Sequence, residues 1–445
     1  MALPQLLSAE SGLADQPLTV EQGSWLVALM AVASCAFVPV FAALGGHVGR
    51  KMLGYLTITP ALVSWIILMF STSVGALYVA RVLVGVQSAG TMVMATLYVS
   101  ETTTDKVRGS LGSLLPLFCN CGSLCAFLVG AYQPYDIVLY LNLAPVVTFV
   151  FCFAFMPETP HRLMHVRRHH QARKALRWLR RGISEWQVDR EVERIQASLG
   201  RDTTEAGGGG DGDGRAVSLA ELLRCRASLL GFAIVLVAGA NAQLCGSFAV
   251  LNYAVLIFDE AGGSVSPEVA TIVLGALQVV GGLVSTVLIE RIGRRPLLFL
   301  ANGAVGTSVA LLGVYLYLKQ QTQVDVTSVG WLPVTCLSIY VLMHAVGLSP
   351  LAYVVVSETV APRIRGLAAI ITYSTSSGTA AIMSKLYPAM SQSMGAYGTF
   401  WFFAAVCLAC SLIGRCLLPE TKGRPLEDIL KELNGGKDVR ASSSQ

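Results

Sequence analysis

With 445 residues, 54% of them hydrophobic and only 13% charged, the chain carries about half the charged share of an ordinary soluble domain. That excludes a water-soluble globule; the formal net charge of +5 says little, because its distribution matters more than its total, and no nucleic-acid partner is expected. The chain reads as a polytopic, all-α membrane protein whose first partner is the lipid bilayer.

Residues 1–24 contain no Lys or Arg. They lack the basic start and short apolar run of a signal peptide, so they read as a polar leader. Five apolar runs follow, each long enough to cross a bilayer as a helix of about 20 residues: 25–44, 53–72, 77–99, 112–130 and 136–156. Residues 157–227 are the sizeable polar segment, with Arg168–Arg181 and Glu185–Leu199 expected as two short amphipathic helices whose apolar contacts are Ala175, Leu176, Leu179 and Ile195. Gly207–Gly214 (GGGGDGDG) reads as a flexible linker, since no Gly-Lys-Ser/Thr follows to build a phosphate loop. Ser218 and Glu221 have capping-box spacing before the next helix. Six more runs complete the count of eleven: 228–258, 269–289, 297–318, 331–356, 368–388 and 398–418. The tail after Leu418 is polar again, and 435–445 reads as disordered. The expected division is a leader at 1–24, a five-span bundle at 25–156, a linker at 157–227, a six-span bundle at 228–418 and a tail at 419–445.

The basic residues fall in alternate loops. Arg50, Lys51, Lys106, Arg108, Arg291, Arg294, Arg295, Arg363, Arg365 and Lys422 share one side with the Arg-rich linker, whereas loops 73–76, 131–135 and 259–267 contain no Lys or Arg. The positive-inside rule makes the basic side cytoplasmic. It places the C-terminus inside and the leader outside, in a membrane taken to be the plasma membrane.

Three polar signatures occur twice, in the same order. Gly49-Arg50-Lys51 returns as Gly293-Arg294-Arg295; Ser100-Glu101 with Arg108-Gly109 returns as Ser357-Glu358 with Arg365-Gly366; Pro157-Glu158-Thr159 returns as Pro419-Glu420-Thr421. Parallel repeats of membrane helices usually mean a transporter. The repeats are unequal: two runs precede the second Gly-Arg signature and one precedes the first, so one helix of the first repeat is absent from this chain.

With Arg81-x-Leu83-x-Gly85, Tyr98-x-Ser100-Glu101, Val107-Arg108-Gly109, Glu290-Arg291-x-Gly293-Arg294-Arg295 and the closing Pro419-Glu420-Thr421-Lys422-Gly423-Arg424, these pieces make nearly the whole chain resemble the sugar porters of the major facilitator superfamily. The likeness runs to the animal facilitative hexose carriers and the insect-type trehalose carriers. It implies two pseudo-symmetric helical bundles that rock about a midplane site, with a small sugar or polyol as substrate, no cofactor and no enzymatic chemistry. By resemblance Arg50, Glu101, Arg108, Glu158 and Arg162 pair on the cytoplasmic face of the first bundle, and Arg294, Arg295, Glu358, Arg365 and Glu420 on that of the second, as gates. The Asp before the first Gly-Arg signature is missing, since Gly46-His47 stands there, and this weakens the first gate.

The resemblance also implies a sugar pocket in which the amides Gln243 and Gln278 survive and Tyr353 stands where a Trp is expected, with Asn252 and Tyr253 as further candidate lining residues that could help rebuild it. Other family polar groups are lost: Pro116, Ala242, Phe248 and Ala345 stand where amides or a carboxylate are expected, and Ser376-Ser377-Gly378 replaces an Asn-Trp-Thr stretch. Either Asn120, Ser374 and Tyr373 help rebuild the pocket, or the substrate is not glucose. Coupling to protons has no visible acid within the spans, which favours a uniporter. A different class of function, a transport-inactive relative that senses or scaffolds, is the alternative that the absent helix and stripped pocket raise.

His161, His165 and His169 are spaced to share one helix face, but no Cys or carboxylate joins them and no metal site is expected. His344 stands alone in its span, as a residue lining the pocket. The cysteines lie mainly in spans and read as small packing residues.

Overall fold

The computed structural model of the chain describes residues 18–70, 73–103, 105–180, 184–207, 226–262, 265–322, 326–360, 365–417, 420 and 424, and among them there is helix and turn but no strand. The leader up to residue 17, the glycine-rich 208–214, the Ser218 capping motif and the 435–445 tail lie outside the described residues.

Helix is what lipid demands of an apolar chain, because a helix satisfies its backbone donors and acceptors within one segment. The first group is α1 (Val20–His47), α2 (Arg50–Phe70), α3 (Val74–Thr102), α4 (Asp105–Tyr132) and α5 (Tyr135–Ala154). Polar residues set where these helices begin. Thr19 and Gln22 form a reciprocal capping box at the start of α1, with bonds of 3.2 and 3.0 Å, and Ser73 accepts from the Ala76 amide at the start of α3.

Three short helices fill the linker: α6 (Pro160–His165), α7 (His169–Leu179) and α8 (Glu185–Gly207). They bury a core of their own, Leu163, Met164, Ala172, Ala175, Leu176, Val188 and Val192, with Ile195 against it. The expected contacts Ala175, Leu176 and Ile195 are therefore in place. The histidines are not on one face: α6 ends at His165, Arg167 takes φ 59, and His169 starts a separate helix.

The second group is α9 (Arg226–Leu244), α10 (Ser247–Ala261), α11 (Pro267–Ile292), α12 (Arg294–Gln321), α13 (Leu332–Met343), α14 (Ser349–Thr359) and α15 (Arg365–Leu417). Two of the expected runs are interrupted. The 228–258 run breaks at Gly246, whose φ of 84 ends α9 and starts α10. The 331–356 run widens into a π turn, His344–Leu348, between α13 and α14. Pro350 follows at once, and it has no N–H to donate back into that turn.

Ten described segments are long and apolar enough to cross a membrane. The last, Gly366–Arg415, has 50 residues, about 75 Å of helix, more than twice the roughly 30 Å hydrocarbon core. It breaks at Gly395 (φ 75, ψ 161). Two crossings result, which makes eleven.

α2 packs on both α3 and α5 in the first bundle, with α1 against α3, while α12 packs on the second half of α15 and α9 on the first half. The bundles meet along two seams, α1 against the first half of α15 and α4 against α11. The repeat correspondence makes α4 the mate of that first half of α15. In the second bundle α9 covers it. In the first, none of the window Leu114–Tyr132 is buried, because no described helix stands where α9 stands.

Candidate functional site

Both copies of the Gly-Arg signature open a helix, and both aim its free amides at a glutamate from far along the chain. At the start of α2 the Glu158 carboxylate accepts from the Arg50 amide at 2.8 Å and the Lys51 amide at 3.1 Å. At the start of α12 Glu420 accepts from the amides of Arg294 at 3.1 Å and Arg295 at 3.2 Å. An anion suits these positions because the first turn of a helix has unsatisfied donors and the positive end of the helix dipole. Glycine leaves the room. A Cβ on Gly49 would meet the Glu158 carboxylate, and one on Gly293 would lie 3.1 Å from both oxygens of Glu420.

The guanidinium following each glycine turns to a second glutamate. Arg50 gives Glu101 bonds of 2.7 and 3.0 Å, and Arg294 gives Glu358 bonds of 2.7 and 3.1 Å. Arg294 meets both oxygens of Glu358, the forked geometry that Arg offers a carboxylate and Lys does not, whereas both Arg50 donors converge on Glu101 Oε1. Arg294 also reaches Glu290 at 3.1 Å. The first bundle lacks that partner, as the Gly46-His47 departure leads one to expect. There the neighbouring carbonyls do the work: Arg50 donates to Gly45 O, and Arg162 donates to the Gly46 and His47 carbonyls. Arg295 donates to the Arg415 carbonyl. The side chains of Arg108 and Arg365 lie outside the described residues.

Thr159, not singled out in the sequence, joins the first network. Its buried hydroxyl donates to Glu101 at 2.6 Å and accepts from the Arg162 amide, so one side chain caps α6 and fixes the carboxylate that pairs with Arg50. It stood in the Pro-Glu-Thr signature, where repetition alone marked it.

The seams carry the second set of polar groups. Asn120 of α4 donates to the Gln278 carbonyl of α11 at 3.1 Å, and Ser88 of α3 lies 3.5 Å from the Tyr373 hydroxyl of α15. Tyr353, 38% exposed, lies near Ser376, Tyr373 and Cys119. Gln278 is 8% exposed, and its side-chain oxygen has no hydrogen-bond partner among the described residues; nor has the Ser374 hydroxyl. Buried amides without partners are uncommon because desolvation costs them about 1–3 kcal/mol.

The five expected pocket residues therefore part company. Gln278 and Tyr353 lie at the seams. Gln243 is half-buried beside the Gly246 break and accepts from Ser247 at 3.0 Å. Asn252 donates at 2.8 Å to Phe248 of its own helix. Tyr253 is in the apolar core, 4% exposed, stacked on Tyr387 at 5.0 Å and bonded to the Ser384 carbonyl. His344 lies against the α9 end, with its Nε2 3.0 Å from the Ala242 carbonyl.

A family model described as "Sugar (and other) transporter" matches residues 7–433. The chain belongs to that family. Among curated sugar porters of this family it is 32% identical over 440 residues to the facilitated trehalose transporter Tret1 of Bombyx mori, covering 96% of this chain and 82% of that protein. It is 32% identical over 428 residues to the Aedes aegypti Tret1, of which it spans only 51%. The fold is that of the xylose transporter XylE from E. coli: the inward-open structure superposes with a TM-score of 0.77 over 97% of this chain and 93% of that one, at 17% identity. A crystal structure of a D-xylose-proton symporter matches with a TM-score of 0.68 over 95% and 93%, at 18% identity. The twin Arg and Glu networks thus sit in a major facilitator fold, and the protein's relatives are carriers rather than enzymes.

Proposed function

We propose that this protein carries a sugar or sugar-like polyol across a membrane by facilitated diffusion, its two bundles, 25–156 and 228–418, rocking about the seams. The observation that carries this reading is the pairing of two equivalent charged networks, Arg50 with Glu101 and Glu158, Arg294 with Glu358 and Glu420. Each binds the helices of its own bundle into a unit, which is what a rocking motion requires. Their release and closure at one end gate the seam. That end, with the basic linker, faces the cytoplasm by the positive-inside rule, and the plasma membrane is the proposed location.

The substrate sits between Gln278, Tyr353, Ser376, Tyr373 and Asn120. Each desolvated sugar hydroxyl needs a partner, and the unpartnered Gln278 amide oxygen is one waiting acceptor. The names of the trehalose-transporting relatives make a disaccharide the first candidate.

Uptake and counterflow of radiolabelled trehalose, glucose, xylose and sorbitol into proteoliposomes test the proposal. Saturable uptake of at least one, competed by its unlabelled form, is the expected result. A second reading, a transport-inactive sensor or scaffold, is favoured by the lost amides at Pro116, Ala242 and Phe248. Folded, monodisperse protein with no saturable uptake of any of the four would establish that reading instead.

A further inference from the structure

At the end of the bundles opposite the Arg and Glu networks, one cation crosses the seam. Lys385, on the first half of α15, donates to the Ser24 hydroxyl of α1 at 2.9 Å, stands 4.5 Å over the Trp25 ring and lies 3.8 Å from Glu21. Ser24 is 3% exposed and accepts Lys385 while donating to its own helix at Glu21 O, 2.7 Å. Lys385 belongs to one bundle and all three partners to the other.

We propose that Lys385, Ser24 and Trp25 form a latch that holds this end of the carrier shut, and that the latch must release in each transport cycle. The inference rests on the rocking mechanism proposed above. The packing beneath the latch agrees with it. Leu26, Val27 and Leu77 of the first bundle are in one continuous apolar cluster with Met383, Tyr387 and Ile257 of the second. Ala31, Ala380 and Ala381 follow one layer further in, and a Cβ on Gly378 would lie 3.4 Å from Cys35 Sγ. The seam is thus tight at its middle, where small side chains let the two helices pivot, and Lys385 sits beyond that pivot, where a small rotation gives a larger separation. Glu21, at 81% side-chain exposure, contributes little; the aromatic face and the buried hydroxyl do the holding.

The test is a distance distribution by pulsed electron resonance. Full-length protein in nanodiscs is spin-labelled at Val20→Cys on α1 and Gln392→Cys beyond Lys385, with the accessible native cysteines replaced by Ser. A minor long-distance population is expected in the parent. Lys385→Ala and Trp25→Ala should each raise the ratio of long to short by roughly three- to tenfold, the worth of one partly desolvated cation on an aromatic ring. Lys385→Arg should hold the ratio near the parent's, since Arg keeps the contact with the ring. An unchanged ratio in both alanine variants overturns the latch, as does a distribution with one short peak in every variant. A distance response without sugar uptake retains the latch and refutes the carrier function instead.

Discussion

A carboxylate resting on the first turn of a helix is held twice, by two N–H donors and by the end of the helix dipole, and Glu158 and Glu420 are both held in this way. Replacing either with Gln keeps the shape and removes the charge. Each of Glu158→Gln and Glu420→Gln should cost about 1–2 kcal/mol, read as a lower thermal midpoint of the purified protein. Arg294 is held more strongly. Its side chain is 8% exposed and it meets Glu358 with two bonds, so removing it strands a half-buried carboxylate. Arg294→Ala should cost roughly 2–4 kcal/mol, below the range for fully buried pairs because Glu358 keeps 24% exposure. Arg294→Lys should recover about half of that, since an ammonium makes one of the two bonds. Equal midpoints for the Ala and Lys variants would show that the fork geometry does not matter.

The helices themselves were legible in the amino-acid sequence because lipid leaves one solution for an apolar run, and the eleven crossings follow from hydropathy alone. Their interruptions were not. Gly246 lies in a run that stays apolar through the break, so hydropathy passes over it; its signature is φ 84 and the Phe403 ring packed where a Cβ would go, 2.5 Å away. Gly246→Ala should therefore cost about 2–4 kcal/mol, combining left-handed strain with overpacking, and a midpoint within a degree of the parent's would contradict that. The glutamates that meet the two Gly-Arg signatures were legible because they repeat in order. The pocket was less so. Tyr253 and Asn252 share a helix with the Gly246 break, and only the register set by that break shows that Tyr253 turns into the core toward Tyr387. Lys385 escaped notice because one basic residue near the end of an apolar run looks like an interfacial anchor; that it reaches Ser24, 361 positions away in sequence, is a fact of packing.

For the molecule as a whole, the decisive feature is where acids are missing. Between Gln22 and Ser100 there is no Asp or Glu, and the same holds from Arg226 to Phe258 and from Val269 to Ile289. Residues 291–324, 326–357 and 359–419 are equally free of them, so every carboxylate of the spans is at a helix end, where Glu101, Glu158, Glu290 and Glu358 are engaged with arginines or helix amides. Proton-driven uptake needs a group that changes charge in the membrane interior and is exposed to each side in turn. Apart from His47 at the end of α1, His344 is the one imidazole within a span, and it faces a carbonyl of the neighbouring helix in its own bundle rather than a carboxylate. Within these spans, then, no acid stands where it could draw on a proton gradient. In proteoliposomes the sugar should equilibrate and stop, with an inside-to-outside ratio near one, whether or not a pH gradient is imposed. A one-to-one proton symporter would reach a ratio of about ten for each pH unit, equivalent to about 1.4 kcal/mol. A protonophore should leave both the initial rate and the final ratio unchanged. Accumulation above equilibrium that the protonophore collapses would place the coupling on a group other than a carboxylate, and His344→Gln would then be the variant expected to abolish it.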